Sequence, residues 1–92
     1  MNTYVRVENM KSSRSGRAVA NQFKIYTDEG VYFQSYGTLI AFKAYGGEKT
    51  VLNEQYWDYS RTTGKYRNEF LNETIQETRK KIETGEYILQ KM

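Results

Sequence analysis

The 92-residue chain carries 14 Lys+Arg against 11 Asp+Glu, a formal net charge of +3, and has no Cys, His or Pro. Without cysteine there is no disulfide framework, thiolate nucleophile or cysteine metal site, and without histidine the commonest general base and transition-metal ligand are missing. One domain with a thin core is expected, because a chain this short buries only roughly 60–65% of the surface its unfolded form exposes.

Residues 3–8, "TYVRVE", alternate with a period of two and predict a first strand. "NMKSSRSGR", residues 9–17, is polar, basic and glycine-containing, and predicts a mobile basic loop. "ANQFKIYT" (20–27), "DEG" and "VYFQSY" (31–36) predict a hairpin, with Phe23 and Ile25 on one face and Val31 and Phe33 opposite them. The Asp-Glu-Gly turn is expected to close through a left-handed Gly30. "TLIAFKAY" (38–45) extends the meander, and Gly46-Gly47 reads as a primed turn into "EKTVLN" (48–53).

From residue 60 the period changes to that of helices. Ser60 or Thr62 can cap a helix over about 61–71, with Thr63, Tyr66, Arg67 and Phe70 on one face. Thr74 and Glu77 match a capping box for a second helix over about 75–84, which Gly85 is placed to end. "EYILQK" (86–91) returns as a last strand. The predicted fold class is α+β: an antiparallel sheet of five or six strands, with two short helices before a final strand.

Charge is uneven along the chain, with balances of +4, −3 and +2 over residues 1–27, 28–58 and 59–92. That favours an acidic partner, though it falls short of the dense basic stripe of a dedicated nucleic-acid binder. The most particular stretch is "YWDYSRTTGKYR", residues 56–67. Read structurally, Tyr56, Trp57 and Tyr59 plug the junction of sheet and helix, with Trp57 largely buried. Read functionally, the helix start with Thr62 and Thr63, ringed by Arg61, Lys65 and Arg67, binds an anion, because free N–H groups and the dipole attract one. A protein-contact role for the same residues stays open. "SRTTGK" is not a phosphate-binding loop, since Tyr59 stands where a glycine is required and Tyr66 follows Lys65.

Lys11, Arg14 and Arg17 form a second basic candidate, either a solvated loop or an arm that orders on phosphates or an acidic surface. Glu69, Glu73 and Glu77 recur at helical spacing and read as a solvated row. No spacing selects a catalytic group or a metal set, so no enzyme activity and no cofactor are expected.

The stretches "VANQFKIYTDEGVYFQSYGTLIAF", "YWDYSRTTGKYRNEFL" and "ETRKKIETGEYIL" resemble a family of small uncharacterised proteins of bacteriophages and mobile elements. The likeness runs over roughly residues 15–90 and leaves the first sixteen or so as peculiar to this member. It implies no site residue. It does imply a setting, in which small phage accessory proteins inhibit host machinery, anti-CRISPR proteins among them. The expected function is therefore a non-enzymatic, anti-defence binding protein acting on a host protein or nucleoprotein complex. Direct nucleic-acid binding through sheet tyrosines and the basic loop is an alternative, as is sequestration of an anionic signalling nucleotide.

A cytoplasmic location is expected, the host's if phage-encoded. The longest apolar run, Leu39–Phe42, is far short of the ~20 residues that span a bilayer. "MNTYVRVENMK" also lacks the apolar stretch of a secretion signal. The sequence predicts no oligomeric state.

Overall fold

The computed structural model describes residues 4–92, so Thr3, the expected start of the first strand, lies outside it. The strands are β1 (Val5–Lys11), β2 (Ala18–Thr27), β3 (Gly30–Ser35), β4 (Thr38–Ala44), β5 (Thr50–Asn53) and β6 (Tyr87–Gln90). Two helices, α1 (Arg61–Leu71) and α2 (Ile75–Glu83), lie between β5 and β6. The six strands form one sheet in the order of the chain. Neighbours pair antiparallel from β1 to β5, and the α+β class holds. The last pair differs from the expected antiparallel sheet. β5 and β6 run parallel, Thr50 opposite Tyr87 through Asn53 opposite Gln90. A parallel pair needs a long crossover, and the two helices are that crossover.

Local chemistry fixes the helix ends where the sequence placed them. Ser60, with extended backbone, accepts the Thr63 N–H at 3.1 Å and starts α1. Asn72 ends it in a left-handed conformation, φ 57. Thr74 and Glu77 exchange both bonds of a capping box at the start of α2. Gly85, φ 82, follows its last turn.

Four sheet expectations need correction. Gly46-Gly47 does not form a two-residue turn, because a short 3-10 turn covers Tyr45–Gly47 after β4 ends at Ala44, and β5 begins only at Thr50. Residues 9–11 are strand, so only 12–17 form the tip of the first hairpin, tied by Ser12 N–H to the Arg17 carbonyl at 2.8 Å. Asn9 explains the extension. Its side-chain amide donates to the carbonyls of Met10, Val19 and Gln22, holding β1 to β2 across the point where their register shifts.

Gly30 is not left-handed. It opens β3, because the hairpin turns on Asp28 and Glu29 alone, and Thr27 Oγ1 accepts from the Glu29 and Gly30 N–H groups. The register is then Tyr26 to Val31 and Ile25 to Tyr32. Consequently Phe23 and Ile25 face away from Val31 and Phe33 instead of pairing with them. A one-residue change of register moves a whole strand's side chains to the other face.

Both helices cover one face of the sheet. There Phe33 stacks on Phe70 with ring centroids 5.6 Å apart, and the Ser35 and Thr63 hydroxyls meet at 2.8 Å. Phe33, Ile40, Ala41 and Leu52 are wholly buried in this core, with Tyr66 and Phe70 of α1 above them. Burying each large apolar side chain contributes about 1.5–3 kcal/mol. Lys43 reaches the same layer, where its Nζ donates to the Phe70 carbonyl at 2.8 Å near the end of α1. Burial holds its ammonium below the usual lysine range, reinforced by Lys24.

No helix among the described residues is long and apolar enough to cross a membrane.

Candidate functional site

Residues 56–67 divide into an anchored set and an exposed set. Trp57 is partly buried against the core, less than the expected largely buried position. The larger departure is Arg67, whose side chain is only 1% exposed. One guanidinium nitrogen donates to the Trp57 carbonyl at 2.7 Å and to Asp58 Oδ1 at 3.1 Å. The other donates to Asn68 Oδ1 at 3.1 Å. The guanidinium carbon also lies 5.2 Å from the Trp57 ring centre, a cation–π distance. Thr63 is wholly buried on Ser35, and the Arg67 guanidinium lies alongside Gly64, far enough away that a Cβ there would make ordinary contact. Thr63 and Arg67, both candidate ligand residues by sequence, thus belong to the scaffold. The helix period contained the signal for Arg67, which shares the face of Thr63, Tyr66 and Phe70.

The exposed set is Tyr56, Tyr59, Arg61, Thr62 and Lys65. Tyr56 and Tyr59 keep 42% and 44% of their surfaces while meeting edge to face, centroids 5.4 Å apart. Asn53 Oδ1 fixes this turn by accepting the N–H groups of Gln55 and Tyr56. Among the described residues neither Arg61 nor Lys65 enters an ion pair. Below them lies an open groove of about 740 Å³, walled by Tyr59, Arg61, Lys65, Asn68, Glu69 and Ile75. Asp58 also lines it, shared between Arg67 and the exposed Arg79 at 3.4 Å. The groove is therefore of mixed charge.

Lys11 is brought close to this groove. Glu69 borders it and also a smaller depression containing Lys11 and Lys24. Arg14 and Arg17 stay exposed on the hairpin tip, with no ion pair among the described residues.

The expected solvated row of glutamates is broken at its middle member, since Glu69 and Glu77 are exposed and Glu73 is not. Glu77 closes the capping box. Glu73, at the link between the helices, has a side chain only 3% exposed. It accepts Lys81 Nζ at 2.7 Å, the Tyr87 hydroxyl at 2.8 Å and the Thr78 hydroxyl. Burial pushes the Glu73 carboxyl up, but the bonds from Lys81, Thr78 and Tyr87 outweigh it and hold it below the usual carboxylate range. The Tyr87 hydroxyl is pushed up to about 12 by burial and by the bond it donates to Glu73. Hydrogen bonding to Glu73 also raises the Lys81 ammonium. This cluster ties α2 and β6 to the helix link. Its partners are too distant in sequence for local pattern to reveal.

Among the described residues no three His, Cys, Asp or Glu side chains gather as a metal site.

Fold and site together define a small α+β domain with helices on one face of its sheet and an exposed aromatic and basic shoulder where the sheet hands over to α1. The chain belongs to a family of unknown function (DUF8033), whose model matches residues 5–86. That span includes β1, so the first strand is part of the family's extent and not peculiar to this chain. No curated protein and no solved structure matches the chain.

Proposed function

We propose that this chain is a non-enzymatic binding protein whose shoulder of Tyr56, Tyr59, Arg61, Thr62 and Lys65 occupies a surface of another protein. In this reading it is an accessory protein of a phage or mobile element, acting in the host cytoplasm, and its target is a bacterial defence complex. The observation that carries the binding role is the division of residues 56–67. Trp57, Thr63 and Arg67 lock the backbone, while Tyr56, Tyr59, Arg61 and Lys65 stay in water. Tyr and Arg are the side chains that dominate protein interfaces, and a rigid mount lowers the entropy lost on binding. The setting comes from the family resemblance, not from the geometry.

Mixed charge favours a protein over nucleic acid. Asp58 and Glu69 border the groove beside Arg61 and Lys65, and would repel a phosphate backbone. An anionic nucleotide would meet the same carboxylates, and Arg67 is buried with both terminal guanidinium nitrogens bonded elsewhere.

Plaque assays on hosts carrying individual defence systems test this. Expression of the wild-type chain should raise phage plating on one such host, and the variant Arg61→Glu/Lys65→Glu should not. Unchanged plating across the panel contradicts the inhibitory role. A mobility shift that weakens with salt would favour nucleic acid instead, and a thermal shift with cyclic dinucleotides would favour nucleotide capture.

A further inference from the structure

The sheet face opposite the helices carries a continuous apolar row. Strand pairing aligns Val7 with Ile25, Ile25 with Tyr32, Tyr32 with Phe42, Phe42 with Val51 and Val51 with Ile88, one residue from every strand. Alternation places these side chains away from Phe33, Leu52 and Tyr87, which pack under the helices. The Tyr32 and Phe42 rings, on the two central strands, sit 4.5 Å apart. Val7 is 60% exposed at one edge and Ile88 40% at the other.

Across β1 to β4 the flanking rows are also free of charge, and Lys49 and Glu86 stand just before β5 and β6. On one side stand Val5, Thr27, Gly30 and Ala44. On the other stand Asn9, Phe23, Gln34 and Leu39. In a chain with 27% charged residues, three uncharged rows across β1 to β4 are a marked segregation. Lys91 and Met92, just beyond β6, lie beside this row and line a depression of about 360 Å³ with Tyr32, Leu39, Phe42 and Val51.

We infer that this face is the interface of a homodimer, two copies packing sheet against sheet as a four-layer molecule. Size supports a second copy. Six strands about 4.8 Å apart, with three rows of side chains about 6.7 Å apart, offer roughly 600 Å² of flat area per copy. With side-chain relief, two copies bury about 1,200–1,600 Å² in total, the range of stable specific interfaces. Charge supports it as well. The uncharged β1 to β4 part of the face offers little to a partner selected by complementary charge, and it meets its own copy without repulsion. Facing sheets pack about 10 Å apart with strands near −30°, and a two-fold arrangement centred on the face buries Tyr32 and Phe42 at its middle. The shoulder at residues 56–65 stays outside this interface.

Sedimentation equilibrium tests the dimer. At about 50 μM, within the micromolar-or-tighter range of interfaces this size, the wild-type chain should sediment at twice its 10.9 kDa mass. The variant Val7→Lys/Ile88→Lys changes two exposed edge positions, and should sediment as a folded monomer with an unchanged circular-dichroism spectrum. Arg61→Glu/Lys65→Glu should remain dimeric, which separates this interface from the proposed binding shoulder. A wild-type monomer at that concentration overturns the inference whatever the variants do. A Val7→Lys/Ile88→Lys dimer as tight as wild type does so too, as does strong binding of an apolar dye by the wild-type chain, which would report an uncovered face.

Discussion

Replacing Arg67 separates scaffold from contact surface within residues 56–67. Its guanidinium makes three hydrogen bonds, at 2.7, 3.1 and 3.1 Å, while the side chain is 1% exposed. Arg67→Met keeps most of the aliphatic volume but leaves the Trp57 carbonyl and Asn68 without their donor. Hydrogen bonds to a charged group contribute about 1.5–3 kcal/mol each, and bonds sharing one group are not additive, so a loss of about 2–4 kcal/mol is expected. Asp58 moderates the loss, since it is part-exposed and keeps Arg79 at 3.4 Å. Arg67→Ala adds a cavity beside Trp57 and should cost about 3–5 kcal/mol. Against a total of about 5–15 kcal/mol this is a large fraction. At about 4–8 °C per kcal/mol for a domain of this size, Arg67→Met should melt at least ~8 °C lower. Thermal and urea unfolding, followed by the fluorescence of Trp57, the chain's one tryptophan, measures the effect next to the lesion. An Arg67→Ala protein melting within ~3 °C of wild type lies below one kcal/mol on that scale, and would refute the structural role assigned to this arginine.

Gly30→Ala should destabilise by about 1–3 kcal/mol in urea unfolding, because its Cβ would collide with the Lys43 carbonyl oxygen and the Phe42 ring. Gln22→Met should instead stabilise by about 1–2 kcal/mol, since the wholly buried Gln22 amide has no hydrogen-bond partner among the described residues. A lower melting temperature for this variant would show that the amide is satisfied.

The Glu73 cluster predicts losses of stability at both ends of the pH scale. A depressed folded pKa makes the Glu73 contribution complete above the ordinary carboxylate value of 4.5 and lost as pH falls through the depressed value. A raised one makes the Tyr87 contribution complete below 10.0 and lost as pH rises toward about 12. Melts from pH 2 to 12 should therefore show Glu73→Gln with a smaller acid-side decline than wild type, and equal declines would refute this.

Features that depend on neighbours in sequence were legible from it. Ser60, Thr74 with Glu77, and Gly85 sit at helix ends because a cap is a bond over three residues or one special backbone angle. The first strand's reach to Lys11 was hidden, because the carbonyls that Asn9 holds belong largely to β2. The parallel β5–β6 pair was hidden for the same reason, as no local pattern distinguishes strand direction. Register was the subtlest loss. Taking the turn as Asp28-Glu29-Gly30 rather than Asp28-Glu29 shifts β3 by one residue, and so misplaces Phe23 and Ile25. That shift concealed the uncovered apolar face, since apolar residues occupy both phases of these strands. Within the candidate site, exposure decided what composition could not. Arg61, Lys65 and Arg67 read alike in sequence, yet Arg67 is enclosed and the other two face water.

The binding role of the shoulder is tested most directly by capture from bacterial lysate on two immobilised baits, the wild-type chain and Arg61→Glu/Lys65→Glu. Both altered side chains are exposed and outside ion pairs, so the two baits should melt within about 4 °C of each other, or less than one kcal/mol. The account predicts one specific protein partner held by the wild-type bait and lost from the folded charge-reversed bait. Equal retention of that partner on both baits, or an unfolded variant, would contradict it and place the contact elsewhere on the molecule.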